Sequence, residues 1–198
     1  MYKISYDNIS IKIQSRTENL IRMILAVDEQ GGIGYKNGLP WPHISDDMQY
    51  FKNTTTDQVV VMGSNTWESL GRIAPLKNRI NYVISGRPAS DFPGCFDVYD
   101  HNTYTMSQII GAIDFRRPGK DTIIIGGKTV YDLCYMHCDA IHVTKVMDKY
   151  KCDTHVDIGR YLLNFERRSE RLVMGNQHTP TCYIERWERP RQKIIRDE

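Results

Sequence analysis

Short runs of aliphatic and β-branched residues recur along the chain, at Met23–Val27, Val59–Met62, Asn81–Ile84, Thr122–Ile125 and Ala140–Thr144. The central runs are nearly continuous rather than alternating, which is the pattern of strands buried on both faces. The stretches between them, at 45–54, 65–71, 105–113 and 127–136, predict helices. Strands alternating with helices predict an open α/β fold, a mostly parallel central sheet with flanking helices. The last third reads differently. Segments near 165–175 and 181–188, separated by Gly175-Asn176-Gln177, predict an antiparallel strand pair closing one edge.

Residues 1–22 stand apart. Ile9, Ile11 and Ile13 alternate with polar residues, which permits an added edge strand. Met23 nevertheless opens the first strong core strand. The expected organisation is an N-terminal extension or tail over 1–22, one domain over 23–190, and a short C-terminal tail over 191–198. A chain starting at Met23 is expected to fold and to stay close to fully active.

Composition narrows the class. At 198 residues the chain suits one domain with a proper core. An apolar fraction of 40% and a charged fraction of 25% are those of a soluble globular protein. The net charge of +2 gives no footing for nucleic acid or a membrane surface. No apolar run is long enough to span a bilayer, and the N-terminus lacks the apolar core of a signal peptide. The five cysteines are scattered and odd in number, which favours free thiols in a reducing cytoplasm. Cys134, His137, Cys138 and His142 lie close in sequence, but closed zinc sites usually bring a second close pair. Core cysteines on a buried helix are the preferred reading there.

Several segments carry chemistry. Leu39-Pro40-Trp41 leads into Ser45-Asp46-Asp47-Met48, with Phe51 beyond. Ser45 is the expected N-cap, and Asp46 and Asp47 suit the positive end of the helix dipole. Asp47, Met48 and Phe51 share one helical face, so the Asp47 carboxylate sits among apolar side chains. A solvated first-turn acid is the plainer reading of that segment alone. The loop Asp28-Glu29-Gln30-Gly31-Gly32-Ile33-Gly34 is rich enough in glycine to approach a flat ligand closely. Met62-Gly63-Ser64-Asn65-Thr66-Trp67 carries a strand into a helix start, where free N–H groups and the Thr66 hydroxyl can hold phosphate. Ile125-Gly126-Gly127-Lys128-Thr129-Val130-Tyr131 repeats the design. It is not a P-loop, because Thr122 stands where the first glycine belongs, and the chain has no G-x-G-x-x-G fingerprint. Two phosphate-binding helix starts suit a pyrophosphate or a split dinucleotide site.

Taken together, these segments resemble dihydrofolate reductase, collinearly from about Met23 to Arg189. The resemblance rests on Gly34…Leu39-Pro40-Trp41 followed by the acid, Met62-Gly63-x-x-Thr66-Trp67-x-Ser69, Arg79-x-Asn81, Ile125-Gly126-Gly127…Tyr131, and Asp153-Thr154-His155. It implies NADPH as cofactor, dihydrofolate as substrate, and hydride transfer to pterin C6 with protonation of N5. It makes Asp47 the acid of the folate pocket, bonding the pterin 2-amino group and N3. Thr144 would orient that carboxylate, and Trp41 would help hold an ordered water. Ile24 and Ile125 would offer backbone carbonyls to the ring, with Met48, Phe51 and Leu70 as apolar walls. Arg79 would pair with the α-carboxylate of the glutamate tail, a task suited to guanidinium. Ala26, Ile33 and Tyr131 would line the nicotinamide.

Gly63, Thr66, Gly127, Lys128, Thr129 and Val130 would cradle the pyrophosphate, with Gly126 joined to Gly127 by the family's cis peptide. Ser64, Ser85 and Arg87 would lie toward the adenosine 2′-phosphate. Two departures are visible. Ser64 stands where many members of the family have a basic residue, and Pro75-Leu76-Lys77-Asn78 replaces the usual proline-glycine before the arginine. The sequence leaves the oligomeric state open, with a monomer favoured. Two other readings are a pyrimidine reductase of riboflavin synthesis and a catalytically silent interaction protein of the same fold. The L-P-W motif and its acid oppose the first, and intact Asp47, Thr144 and Arg79 oppose the second.

Overall fold

The computed structural model describes residues 19–190. The Ile9, Ile11, Ile13 alternation and the 191–198 tail lie outside the described residues. In chain order the elements are β1 (Ile21–Val27), β2 (Gly32–Gly34), α1 (Ser45–Thr55), β3 (Val59–Gly63), α2 (Ser64–Leu70), β4 (Ile80–Ile84), β5 (Asp97–Tyr99), α3 (Met106–Arg116), β6 (Thr122–Gly126), α4 (Lys128–Cys134), β7 (Ala140–Val146), β8 (Thr154–His155), α5 (Ile158–Leu162), β9 (Glu166–Val173) and β10 (Cys182–Glu188). Eight strands form one sheet in the order β5-β4-β3-β6-β1-β7-β10-β9. Every pairing from β5 across to β7 is parallel, and β10 runs antiparallel to both its neighbours. This is the α/β architecture that the apolar runs predict, with its antiparallel C-terminal edge.

The continuous apolar runs have a direct cause. Successive side chains of a strand point to opposite faces, and here both faces are covered. Met23, Leu25, Val59, Val61, Ile124 and Ile141 pack against α3 and α4 through Ile109, Ile113, Val130 and Cys134. The residues between them, Ile24, Val60, Met62, Ile123 and Ile125, pack on the other side with Trp67 of α2 and Phe51 of α1. At the far edge β9 is charged and exposed, and Arg167, Arg168 and Arg171 all form ion pairs. Such an edge resists pairing with another strand.

Three details correct the sequence reading. The first strand opens at Ile21, two residues ahead of Met23, with Ile21 and Arg22 paired to Thr122 and Ile123. Arg22 can occupy a strand in this position because Asp121 meets its guanidinium. Ser45 is the first helical residue rather than the N-cap. That place falls to Ile44, which makes no capping bond and is buried beside Trp41. The strands β2, β5 and β8 and the five-residue α5 were not anticipated. Each is too short to show a period.

Candidate active site

The carboxyl ends of β1, β3, β4 and β6 open onto a cleft of about 990 Å³. Open α/β sheets place their ligands at that end of the strands. Its lining includes Ala26 and Ile33 from the β1 side, Gly63, Ser64 and Thr66 from the β3–α2 turn, and Ser85 after β4. Ile125, Gly126, Gly127, Lys128, Thr129, Val130 and Tyr131 close it from the β6–α4 turn, and Leu70 completes an apolar wall.

Asp47 projects from the first turn of α1 toward β7 and is 7% exposed. The Thr144 hydroxyl donates to its Oδ1 at 2.6 Å. Burial raises the Asp47 pKa above the ordinary carboxylate value, opposed by the Thr144 bond and by His43. Among the described residues two other carboxylates are buried, and both are fully engaged. Asp28 accepts the N–H groups of Gln30, Gly32 and Tyr150, and Glu185 meets Lys145, Arg167 and the Trp187 indole. Among the described residues Thr144 is the one hydrogen-bond donor to Asp47, so its remaining lone pairs are available to a ligand.

The surroundings match that role. Trp41 is buried in a cluster with Ile44 and Ile184. Phe51 and Leu70 are half-buried against Ile24 and Ile125, and Met48 is half-buried one residue after the acid. The Tyr131 hydroxyl donates to the Ile24 carbonyl at 2.9 Å, which leaves that oxygen one free lone pair.

The two strand-to-helix turns are built for close approach. Helices α2 and α4 begin after Gly63 and Gly127 without side-chain caps, so first-turn N–H groups are free. A Cβ at Gly127 would lie 3.3 Å from Thr66 Oγ1, and one at Gly63 would lie 3.1 Å from Val130 Cγ2. Gly126 has φ +118°, and its peptide bond to Gly127 is cis. Side chains at these positions would fill the cradle that a pyrophosphate needs.

Arg79 lies on the other flank of α1. Its guanidinium donates to Thr55 Oγ1 at 3.0 and 3.1 Å and to the Lys77 carbonyl at 2.7 Å. It forms no ion pair with any described residue. Burial holds its pKa below the ordinary arginine value. Neutral acceptors therefore aim a cation whose charge is still unmatched.

The chain is similar to known proteins over most of its length. The family model described as dihydrofolate reductase matches residues 20–189. The chain belongs to the dihydrofolate reductase family. It is 32% identical to the dihydrofolate reductase of Bacillus subtilis (strain 168) over 160 residues, covering 81% of this chain and 85% of that protein. It is 33% identical to the viral dihydrofolate reductase of Saimiriine herpesvirus 2 over 159 residues, covering 74% of each. The solved structure of the dihydrofolate reductase from Enterococcus faecalis complexed with NADP(H) and RAB-propyl superposes with a TM-score of 0.76 at 25% identity, covering 88% of this chain and 98% of that one.

Within this dihydrofolate reductase fold, Ile24, Trp41, Asp47, Met48, Phe51, Arg79 and Thr144 are not among the residues that line the cleft, and one further expected site residue is turned to other partners. The Arg87 side chain does not line the cleft. It is ion-paired to Glu68 and Asp91 and lies over the Phe92 ring. Two nearby carboxylates outcompete the open cleft for an exposed guanidinium. His101, in the turn after β5, lines the cleft beside Ser85 and Gly86 instead, and its Nδ1 is buried without a hydrogen bond. Nothing local in the sequence marks His101.

The sequence reading also missed the latch on the glycine-rich loop. Strand β2 pairs with β8, Gly32 opposite His155 and Gly34 opposite Thr154. Asp153 accepts the Lys36 N–H at 2.8 Å. A Cβ at Gly31 would lie 2.5 Å from the Val156 carbonyl oxygen, and φ there is +79°, so glycine is required. The Asp153-Thr154-His155 motif thus has a structural role, and the exposed residues of the loop are 29–30 and 36–39. An aspartate just ahead of paired glycines is an Asx-turn signal that could have identified Asp28 as the anchor.

Proposed function

We propose that this chain catalyses the NADPH-dependent reduction of 7,8-dihydrofolate to 5,6,7,8-tetrahydrofolate, with Asp47 as the acid on which turnover depends. The observation that carries the reading is the buried Asp47 carboxylate, which among the described residues accepts a side-chain hydrogen bond from Thr144 alone. An ionisable group kept there at the cost of its solvation is a functional group rather than a packing one.

The residues divide the work as follows. Bound NADPH supplies the hydride that reduces pterin C6. Ala26, Ile33 and Tyr131 line the nicotinamide, and Gly63, Thr66, Gly126, Gly127, Lys128, Thr129 and Val130 hold the pyrophosphate. Their glycine-built walls fit such a group, because backbone N–H groups can reach it unobstructed. Asp47 bonds the pterin 2-amino group and N3 and polarises the ring. Water, held with the help of Trp41, delivers the proton to N5. Met48, Phe51 and Leu70 exclude bulk solvent, which strengthens the Asp47 interaction. Arg79 takes the α-carboxylate of the glutamate tail, exchanging neutral acceptors for a charged one. Ser64 and Ser85 serve the adenosine end.

The test is NADPH oxidation by the purified chain with 7,8-dihydrofolate, followed by the loss of NADPH absorbance. Substrate-dependent oxidation is expected. A chain that binds both ligands and yet turns nothing over would instead be a silent member of the fold.

A further inference from the structure

Helix α1 is anchored unusually. Most surface helices are held by an apolar stripe. The two buried residues of α1 are Asp47 and Thr55, both polar, while Met48, Tyr50 and Phe51 are only half-buried. Side-chain bonds therefore act beside the packing of Tyr50 and Phe51 in setting where this helix lies. Toward β7 there are two. Thr144 donates to Asp47, and the Tyr50 hydroxyl bonds His142 Nδ1 at 2.5 Å. Asp47 and Tyr50 are three apart on one helical face. His142 and Thr144 are two apart on one face of the strand. The bonds are two rungs between the same two elements.

The outer rung is strongly specified. His142 is 5% exposed, and its ring lies 5.6 Å from the Tyr50 ring between centroids. Its Nε2 is buried with no partner among the described residues. Losing Tyr50 would leave a buried imidazole with no hydrogen bond at all, a costly state. Burial, reinforced by Arg22 and Arg186, pushes the His142 pKa down to about 4, so the ring is neutral in neutral solution. The established chemistry of the site does not use either residue.

We propose that Tyr50 and His142 form a positioning clamp: by pinning α1 to β7 beside the Asp47–Thr144 bond, they set how deeply the Asp47 carboxylate is buried. The inference rests on reading Asp47 as the acid. The groups facing that carboxylate are Thr144 from β7, His43 ahead of α1, Tyr131 from α4 and Cys182 from β10. None of them ties α1 to the sheet except Thr144. Without the clamp the first turn of α1 lifts, water reaches Asp47, and its pKa falls toward the ordinary carboxylate range.

The test is the pH dependence of single-turnover hydride transfer in Tyr50→Phe and His142→Phe, with melting temperatures measured alongside. The apparent pKa of the rate profile should drop by about half a unit or more, a loss of about threefold in rate per half unit above it. His142→Gln, whose amide can still meet the Tyr50 hydroxyl, should keep the profile close to its wild-type position. Tyr50→Phe removes a single oxygen and decides the matter if His142→Phe does not fold. A lower melting temperature with an unmoved profile would overturn the proposal, leaving a purely structural contact. Asp47→Asn is the separate control. If it keeps the wild-type rate, the reading of Asp47 fails and the clamp falls with it. If it is crippled while Tyr50→Phe leaves the profile in place, the clamp alone fails.

Discussion

Thr144 and Asp47 meet across the α1–β7 contact, with the threonine hydroxyl donating to Oδ1 at 2.6 Å. Thr144 pairs with Ala26 on one side and Ile184 on the other, so the donor stands in the middle of the sheet and cannot swing away. A fixed neutral donor orients the carboxylate without supplying the charge that would hold its pKa down.

Asp47→Asn should keep the fold and cripple turnover, by on the order of 100-fold or more near neutral pH. The same change should raise the melting temperature there. A folded-state pKa above the unfolded value means that the native state binds the extra proton, so stability is lost as pH rises from the unfolded pKa through the folded one. Asparagine has no proton to lose. Paired melts at acidic and neutral pH check this, and equal gains at both would contradict the linkage.

Arg79→Leu should raise KM for dihydrofolate far more than it lowers kcat. The guanidinium is aimed by Thr55 and Lys77, away from Asp47, and removing a partner of a buried ion pair typically costs ~2–5 kcal/mol of binding. A pterin lacking the glutamate tail should hardly register the change. An equal loss with that pterin would make Arg79 structural.

Cofactor discrimination should depend little on Arg87. Its ion pairs with Glu68 and Asp91 are exposed, and it does not line the cleft. Arg87→Ala should leave the ratio of NADP⁺ to NAD⁺ affinity within about twofold, the scale of exposed ion pairs. His101→Ala should narrow that ratio, because His101 is the cleft-lining group next to Ser85. Titration calorimetry with both nucleotides decides between the two residues.

Residues just ahead of Met23 are bonded to the sheet. Leu20 N–H donates to Asp121, Ile21 N–H donates to Asp139, and Arg22 pairs with Asp121. A chain starting at Met23 should melt more than ~5 °C below one starting at Asn19, roughly the effect of 1 kcal/mol or more. Matching melts for the two truncations would return the boundary to Met23.

Acid should destabilise the protein partly through His142. Its folded pKa of about 4 lies below the ordinary histidine value of 6.5, so its contribution is complete above about pH 6.5 and is lost as pH falls toward 4. The total is on the order of 3 kcal/mol for a shift of this size. His142→Phe should flatten the fall in melting temperature over that window.

By itself the sequence determined the class of fold and named the residues of the candidate site. Val59–Met62 and Thr122–Ile125 read as strands because burial on two faces demands apolar residues at every position, a local signature. Gly126, Gly127 and Thr66 were legible because helix starts and close backbone approach restrict residue type over a few neighbouring positions, whereas Asp47 stood out only through the family resemblance. The tertiary structure alone decided what those neighbours could not encode. It inserted β6 between β1 and β3, pairing Val59 with Thr122. It latched the glycine loop onto Thr154 and His155, turned Arg87 to Glu68, and brought His142 under Tyr50. Each of these joins groups distant in sequence, or resolves a competition among several partners in reach. Their outcome follows from the packing of the whole sheet, and no local period or motif carries it.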